Sequence, residues 1–285
     1  MSLILLQGGL IVDGSGAPPF HADLLIEDDR IHAIGTITPP PGGEVVDCRG
    51  LAISAGFIDL HSHSDLQVLA GLREKSDQGV TTEVVGNYGF SAYPGGERTP
   101  ELREFANGIF CGGGDWNFPH ARDYLAAAGQ APLVYVRSLA GHGSLRIGLF
   151  GNGQARLTSF EMDRMEGMLA DALSAGACGF STGLMYAPGA TAAVEEIERL
   201  CRVVARENGL YATHMRSYAA GLGEAVEEQL TLARDTECRL QISHLQAVGR
   251  ANWDKQRRVL DRIEAARREA IDVEFDIYPY LAARC

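Results

Sequence analysis

Four of the eight histidines stand at the carboxyl ends of short apolar segments, which are typical of buried β-strands. These residues are His61, His63, His214 and His244. Alternate residues of a strand point to the same side, so the imidazoles of His61 and His63 can reach one ion. Imidazole is a good ligand for zinc and other transition metals. A metal held there can lower the pKa of a bound water and polarise a carbonyl, as amide hydrolysis requires.

Seven segments of this kind are predicted to be parallel strands that position the histidines, because helical patterns lie between several of them. The predicted strands span residues 56–61, 81–86, 131–137, 178–181, 210–214, 239–244 and 272–278. In a (β/α)8 barrel, eight strands close the sheet and their carboxyl ends form the rim on which active sites lie. We therefore predict an α/β fold, a (β/α)8 TIM-like barrel that is incomplete because seven strands are visible.

Two further regions complete the predicted organisation. Residues 1–55 contain short strand patterns separated by turns, which predict a small β-sandwich segment before the barrel of residues 56–285. Residues 93–122 have no clear periodicity and are predicted to be a long excursion, either a short subdomain or a loop over the site. The clearest helical pattern begins at a capping box formed by Thr158 and Glu161.

Composition narrows the classes of partner. The formal net charge is −12, and an acidic surface repels phosphate backbones, so we expect no nucleic-acid partner. The apolar run at the N-terminus ends at Gln7, which is too short for a signal peptide or a membrane span, so we expect no membrane partner. The six scattered cysteines form no C-x-x-C pair and are interpreted as reduced thiols of a cytoplasmic protein. The sequence gives no prediction for the oligomeric state.

The four histidines belong to an ordered set of sequence segments that spans essentially the whole chain. It starts with residues 56–65, Gly-Phe-Ile-Asp-Leu-His-Ser-His-Ser-Asp, and continues with residues 79–91, 141–146, 179–189, 213–216 and 278–280. The opening β segment, the H-x-H and the single histidines on later strands resemble the amidohydrolase superfamily. The other segments resemble its N-acyl-D-amino-acid deacylase (D-aminoacylase) branch.

This resemblance implies a βα barrel with a small β-sandwich, and hydrolysis of the amide bond of N-acyl-D-amino acids to a carboxylate and a free D-amino acid. The implied partner is therefore a small-molecule N-acyl amino acid. By position, His214 and His244 match the ligands of the family's tightly bound Zn²⁺. His61 and His63 match those of a second, weaker metal position.

The sequence departs from the family pattern at two places. Where the family commonly carries a metal-binding cysteine, this chain has Tyr88. A phenol is a poorer zinc ligand than a thiol because its pKa is about 10 rather than about 8.5. The residues leave three roles open for Tyr88: metal ligand, substrate contact or packing.

No residue matches the family's general acid/base, an aspartate on the eighth strand, so no catalytic residue is assigned within the chain and that aspartate is expected beyond Cys285.

Three residues in family-like segments near strand ends are candidate substrate contacts. Tyr186 and Tyr280 can hydrogen-bond the scissile carbonyl or the substrate carboxylate, or be buried aromatics with a solvated hydroxyl. Arg216 can pair with a carboxylate or be a solvated charge on the rim. His142 and Arg146 are predicted to lie in a glycine-rich turn, where they orient a loop or touch substrate.

The sequence leaves alternatives to the deacylase function open. A cyclic-amide hydrolase of the dihydroorotase or hydantoinase type usually carries a modified lysine on strand four, and this chain has no lysine between residues 76 and 254. A non-catalytic metal-binding relic is the second alternative, since a truncated chain would lack its acid/base. Residues 179–183 match the G-x-S-x-G nucleophile elbow of serine hydrolases, but the 34 glycines make chance matches easy.

Overall fold

The computed structural model describes residues 2–71, 73–110, 115–131, 133–151, 153, 156–278 and 280. Its Cα positions divide the chain into two compact units, Met1–Phe57 and Ile58–Cys285. Within the described ranges, no helix combines the length and the apolar character that crossing a membrane requires.

The first unit contains a five-stranded sheet. Its strands are β1 (Leu3–Val12), β2 (Phe20–Glu27), β3 (Arg30–Gly35), β4 (Glu44–Asp47) and β5 (Ala52–Ser54). β1 pairs antiparallel with β2 and parallel with β4 and β5. β1 is a single strand with a bulge, at which the register with β2 shifts between Leu6 and Gly9. Gly8 allows this bulge, since its φ of 75° is a conformation that glycine adopts without cost.

The second unit contains a seven-stranded sheet whose strands follow each other in chain order. They are β6 (Phe57–Asp59), β7 (Val80–Val85), β8 (Tyr135–Gly141), β9 (Gly179–Gly183), β10 (Leu210–His214), β11 (Arg239–Ile242) and β12 (Val273–Phe275). The pairs from β7 to β12 are all parallel. All five residues of β9 are buried, as expected of a strand with both faces covered.

Helices connect these parallel strands. They are α1 (Gln67–Ala70), α2 (Thr99–Ala106), α3 (Ala121–Ala128), α4 (His142–Phe150), α5 (Ser159–Ser174), α6 (Val194–Arg206), α7 (Leu222–Thr236) and α8 (Trp253–Arg268). The predicted capping box is confirmed at α5, where Thr158 N donates to Glu161 Oε2 at 2.8 Å and Glu161 N donates to Thr158 Oγ1 at 3.3 Å. The apolar faces of α5 and α6 are buried in one core with Phe180 of β9 and Tyr211 of β10.

The sheet curls into a barrel wall. In a flat sheet of seven strands, β6 and β12 would lie roughly 29 Å apart, because neighbouring strands are about 4.8 Å apart. Instead, Nδ1 of His61, just after β6, lies 3.1 Å from Oδ1 of Asp276, just after β12. The predicted α/β fold with seven parallel barrel strands is therefore confirmed.

One predicted strand boundary was wrong. The third barrel strand begins at Tyr135 rather than at residue 131. Its buried part is the small-residue stretch from Ser138 to Gly141, while Tyr135 in the apolar stretch is 75% exposed. The close approach of β8 to the chain around Gly86 explains this, because a Cβ on Gly86 would lie 2.1 Å from Leu139 O. Residues 93–122, predicted to be a short subdomain or a loop, include α2, which buries Leu102.

Candidate metal centre

The carboxyl ends of β10 and β11 bring two imidazoles together. His214 Nδ1 lies 3.0 Å from His244 Nε2. Two nitrogens that bind one tetrahedral zinc at 2.0–2.1 Å would be roughly 3.3 Å apart. The two nitrogens are thus already spaced as ligands of a single ion.

The backbone fixes both side chains at this rim. His214 is the last residue of β10 and pairs with Gly183 of β9, and its carbonyl accepts the amide of Leu184 at 2.9 Å. His244 follows β11 with a φ of 36°, an uncommon conformation for a residue with a Cβ. Its amide donates to Asp276 Oδ1 at 2.6 Å, which stabilises this turn.

Both imidazoles are buried and neutral near pH 7. Burial, with the neighbouring His244, lowers the pKa of His214 to about 3. Burial, with the neighbouring His61, lowers the pKa of His244 to about 4. A neutral imidazole has a lone pair available for a metal, so this environment favours ligation over protonation.

The second pair follows β6. The ring centroids of His61 and His63 are 5.6 Å apart, and the rings are inclined by 72°. His63 Nδ1 is buried and has no hydrogen-bond partner among the described residues, which is costly unless an ion or water reaches it. Burial, with the neighbouring His61, lowers the pKa of His63 to about 3.

A charged cluster binds the backbone segment that carries His61 and His63. Lys75 Nζ lies 2.8 Å from Asp59 Oδ2, 2.6 Å from Glu83 Oε2 and 2.7 Å from Ser62 Oγ. Ser62 Oγ in turn donates to Glu83 Oε2 at 2.8 Å. These contacts hold the backbone between the two histidines against β7.

Tyr88 lies in the middle of the four histidines. Its ring centroid is 5.0 Å from that of His61, 4.5 Å from His63, 4.6 Å from His214 and 5.0 Å from His244. The structure therefore brings together all five residues that the sequence analysis considered as metal ligands. That any of them binds a metal stays a prediction.

The three candidate substrate contacts differ in their positions. The ring centroid of Tyr186 is 4.9 Å from that of His214, so Tyr186 lies beside the first histidine pair. Tyr280 is 74% exposed. Arg216 Nε lies 3.0 Å from Glu228 Oε1, while its Nη1 and Nη2 donate to Ala190 O at 3.2 Å and Ala192 O at 2.8 Å. Arg216 therefore holds the segment that follows Tyr186.

The predicted position of His142 and Arg146 in a turn was wrong. His142 is the first residue of α4, and both side chains are buried, at 0% and 1% exposure. Glu196 of α6 joins them, with Oε1 2.7 Å from His142 Nε2 and 2.9 Å from Arg146 Nε. Burial alone would raise the pKa of Glu196, but the hydrogen bonds from His142 and Arg146 lower it to about 2. This charged cluster fastens α4 to α6.

The serine-hydrolase interpretation does not fit the geometry. Ser181 lies in the middle of β9 rather than at a strand-to-helix turn, and it is fully buried. Its hydroxyl donates to Gly86 O and accepts the amide of Gly89 at 3.0 Å. Ser181 therefore joins β9 to the loop that carries Tyr88.

Three further residues lie at this site that the sequence patterns did not indicate. Asp276 contacts both histidine pairs through one oxygen, and Met185 Sδ lies 3.1 Å from His214 Nε2. The ring centroid of Tyr218 is 4.9 Å from that of His214 and 4.7 Å from that of His244. Ending the last predicted strand at residue 275 would have placed Asp276 on the rim. No sequence signal distinguishes Met185 or Tyr218.

The donor set fits zinc. The neutral nitrogens of His214 and His244 are spaced for one ion, and the buried Nδ1 of His63 has no described partner. Among the described residues, no three His, Cys, Asp or Glu side chains already form a metal-binding group. Because catalytic zinc sites complete their four ligands with a water, a site built on two histidines needs one further protein ligand at most.

Comparisons with known proteins identify relatives of the chain. N-acyl-D-glutamate deacylase of Alcaligenes xylosoxydans xylosoxydans is 38% identical over 280 residues, or 97% of this chain and 57% of that protein. The crystal structure of N-acyl-D-glutamate deacylase from Bordetella bronchiseptica, complexed with zinc and a phosphonate inhibitor, superposes with a TM-score of 0.88. It is 39% identical and is matched over 98% of this chain and 59% of that one.

A structure of D-aminoacylase, described for its binuclear metal centre, has a TM-score of 0.89 and 35% identity over 98% of this chain and 58% of that one. L-hydantoinase from Arthrobacter aurescens shares the fold at a TM-score of 0.62 and 16% identity, covering 98% of this chain and 59% of that one. The chain thus spans between half and two thirds of the length of these relatives. The model of the amidohydrolase family matches residues 44–277, and the chain belongs to this family.

Proposed function

We propose that this protein hydrolyses the amide bond of N-acyl-D-amino acids in a zinc-dependent reaction that yields a carboxylate and a free D-amino acid. The observation that carries the proposal is the 3.0 Å separation of His214 Nδ1 and His244 Nε2 at the rim of the barrel. The identity of 38–39% to N-acyl-D-glutamate deacylases supports the substrate class.

The residues would divide the work as follows. His214 and His244 would hold the ion through Nδ1 and Nε2, and burial keeps both imidazoles neutral for this task. A zinc ion bound there supplies Lewis acidity, which lowers the pKa of a water and polarises the scissile carbonyl. Proton transfer to the leaving amine requires a general acid, for which the aspartate expected from the family resemblance stays a prediction.

Tyr186 is the best-placed candidate for binding substrate. Its ring lies 4.9 Å from that of His214, on a segment whose carbonyls Ala190 and Ala192 accept hydrogen bonds from Arg216. A phenol there can donate to the scissile carbonyl or the substrate carboxylate. We therefore assign Arg216 the role of positioning this segment rather than of binding the carboxylate directly.

The cyclic-amide hydrolase alternative has weaker support. The hydantoinase likeness, at 16% identity, concerns the fold alone. The lysine that such enzymes usually carry on strand four has no counterpart between residues 76 and 254. We also propose a cytoplasmic location, because the scattered cysteines are interpreted as reduced thiols.

The test is a hydrolysis assay on matched N-acetyl-D- and N-acetyl-L-amino acids, including glutamate, aspartate and leucine. It uses the protein as produced from its natural gene and compares the form loaded with Zn²⁺, the form treated with a chelator, and the His214→Asn variant. We expect zinc-dependent turnover of D substrates and no turnover by the variant. Turnover of L substrates only, or of a hydantoin only, would contradict the proposal. Zinc binding without any turnover would favour the non-catalytic relic.

A further inference from the structure

The ring of Tyr88 occupies the space among the four histidines. We propose that this ring limits the site to one metal ion, held by His214 and His244, and prevents a bridged pair of ions. The inference rests on the proposed function because it concerns the same metal site. It differs from the binuclear centre described for the related D-aminoacylase structure.

The ring contacts define the position of Tyr88. His63, His61, His244 and His214 form an arc, with successive ring centroids 5.6, 5.3 and 4.7 Å apart. Each imidazole of this arc also lies 4.5–5.0 Å from the centroid of Tyr88, at interplanar angles of 71–90°. The phenol ring is therefore the common neighbour of all four imidazoles.

A bridged metal pair needs the space that this ring fills. The ions of a two-metal site lie about 3.5–4 Å apart and share a small ligand. An ion bound to an imidazole nitrogen at 2.0–2.1 Å lies roughly 3 Å from the centre of that imidazole. A ligand bridging an ion on His61 and His63 to one on His214 and His244 would thus meet the carbons of the Tyr88 ring.

The backbone prevents Tyr88 from moving aside as a unit. Tyr88 has a φ of 61°, between Gly86 at 80° and Gly89 at 78°. A Cβ on Gly183 of β9 would lie 2.1 Å from Tyr88 O, which shows how closely this loop packs on the sheet. On the other side, the Asn87 side chain donates to Ser62 O at 3.3 Å and Val84 O at 3.0 Å.

The experiment measures bound zinc per chain by plasma mass spectrometry after equilibration with Zn²⁺ and gel filtration. X-ray absorption spectroscopy then detects a short metal–metal vector. Tyr88→Gly removes the ring and suits the left-handed backbone, so the loop keeps its conformation. Tyr88→Phe is the matched control, because it deletes the hydroxyl and keeps the ring.

We expect one zinc per chain in the unmodified protein and in Tyr88→Phe, and a rise to two in Tyr88→Gly with a metal–metal vector near 3.5 Å. Two zinc ions with such a vector in the unmodified protein would overturn the inference. A second zinc in Tyr88→Phe would do the same, because the hydroxyl rather than the ring would then be responsible. A single zinc in Tyr88→Gly would also overturn it.

The same measurements separate this inference from the proposed function. The proposed metal site fails if one zinc still binds after His214→Asn, whatever the result at Tyr88. If D substrates are hydrolysed but the unmodified protein holds a bridged pair, only the inference about Tyr88 fails.

Discussion

The two histidine pairs differ in how closely their geometry matches that of two ligands of one metal ion. His214 and His244 end neighbouring strands, and their facing nitrogens lie 3.0 Å apart. His61 and His63 share one strand end, and their ring centroids are 5.6 Å apart with inclined planes. His61 is also engaged by the carboxylate of Asp276 at 3.1 Å.

This difference has a simple geometric origin. Neighbouring parallel strands lie about 4.8 Å apart, so residues at equivalent ends converge across one strand spacing. Two residues at i and i+2 lie about 6.6 Å apart along one strand and converge only if the chain bends after the strand. We therefore expect His214 and His244 to form the strong position for one ion and His61 and His63 to contribute little to its binding, which the following predictions test.

The largest effect is expected from removing the ligands one at a time. His214→Asn and His244→Asn should each weaken zinc binding at least about 100-fold, because each leaves a single imidazole at the strong position. His61→Asn and His63→Asn should weaken it less than about 10-fold. Competition with a chromophoric chelator measures all four variants. Equal losses in the two pairs would remove the distinction between them.

Two charged clusters of the barrel unit also differ, in how deeply they are buried. Lys75, behind His61 and His63, is one-third exposed, whereas His142, Arg146 and Glu196 are each at most 7% exposed. Truncating a buried charged cluster leaves uncompensated partners. Glu196→Gln should therefore lower the free energy of unfolding by about 3 kcal/mol. Glu198→Gln, in an exposed pair with Arg202 on the same helix, should cost less than about 0.5 kcal/mol.

The effect of Glu196→Gln should depend on pH. The hydrogen bonds from His142 and Arg146 overcome burial and hold the pKa of Glu196 near 2, below its ordinary value of 4.5. A carboxylate with a depressed pKa stabilises the fold above its unfolded pKa, and this stabilisation disappears as the pH falls toward the folded pKa. The difference between the two proteins in urea unfolding should thus be full above pH 5 and shrink toward pH 2. A difference independent of pH would assign the loss to packing.

Asp276 joins the two histidine pairs and should have an intermediate effect. Burial alone would raise its pKa, but its hydrogen bonds to His61, the His244 amide and Gln241 outweigh burial and lower it. Asp276→Asn keeps the shape but removes the charge that binds the His61 ring and the backbone amide of His244, so zinc affinity should fall about 10-fold. Asp272→Asn, four residues earlier and exposed, is the control and should leave chelator competition unchanged. Equal values for the two variants would argue against an orienting role.

The strand ends could be predicted from the sequence, but the residues between them could not. The four histidines follow apolar strand patterns, and parallel strands necessarily bring such ends to one rim. The position of Tyr88 depends on three residues with positive φ, Gly86, Tyr88 and Gly89, which no periodicity encodes. The buried cluster of His142 and Glu196 joins two helices distant in sequence, so the local glycine-rich pattern indicated a turn instead.

Met185 should produce the smallest change. Its Sδ lies 3.1 Å from His214 Nε2, so the thioether accepts the hydrogen bond of the Nε2–H group. With the proton on Nε2, the lone pair of Nδ1 is free to face His244. A thioether is a weak acceptor, and Met185→Leu keeps the volume, so zinc affinity should fall only about 2-fold. Met185→Gln restores an acceptor and should recover the affinity. ¹⁵N NMR of the imidazoles in metal-free protein should show a reduced Nε2–H population for His214 in Met185→Leu. A loss above 10-fold would contradict this minor role, because the hydrogen bond to the thioether would then be essential for holding His214 in the tautomer that the strong position requires.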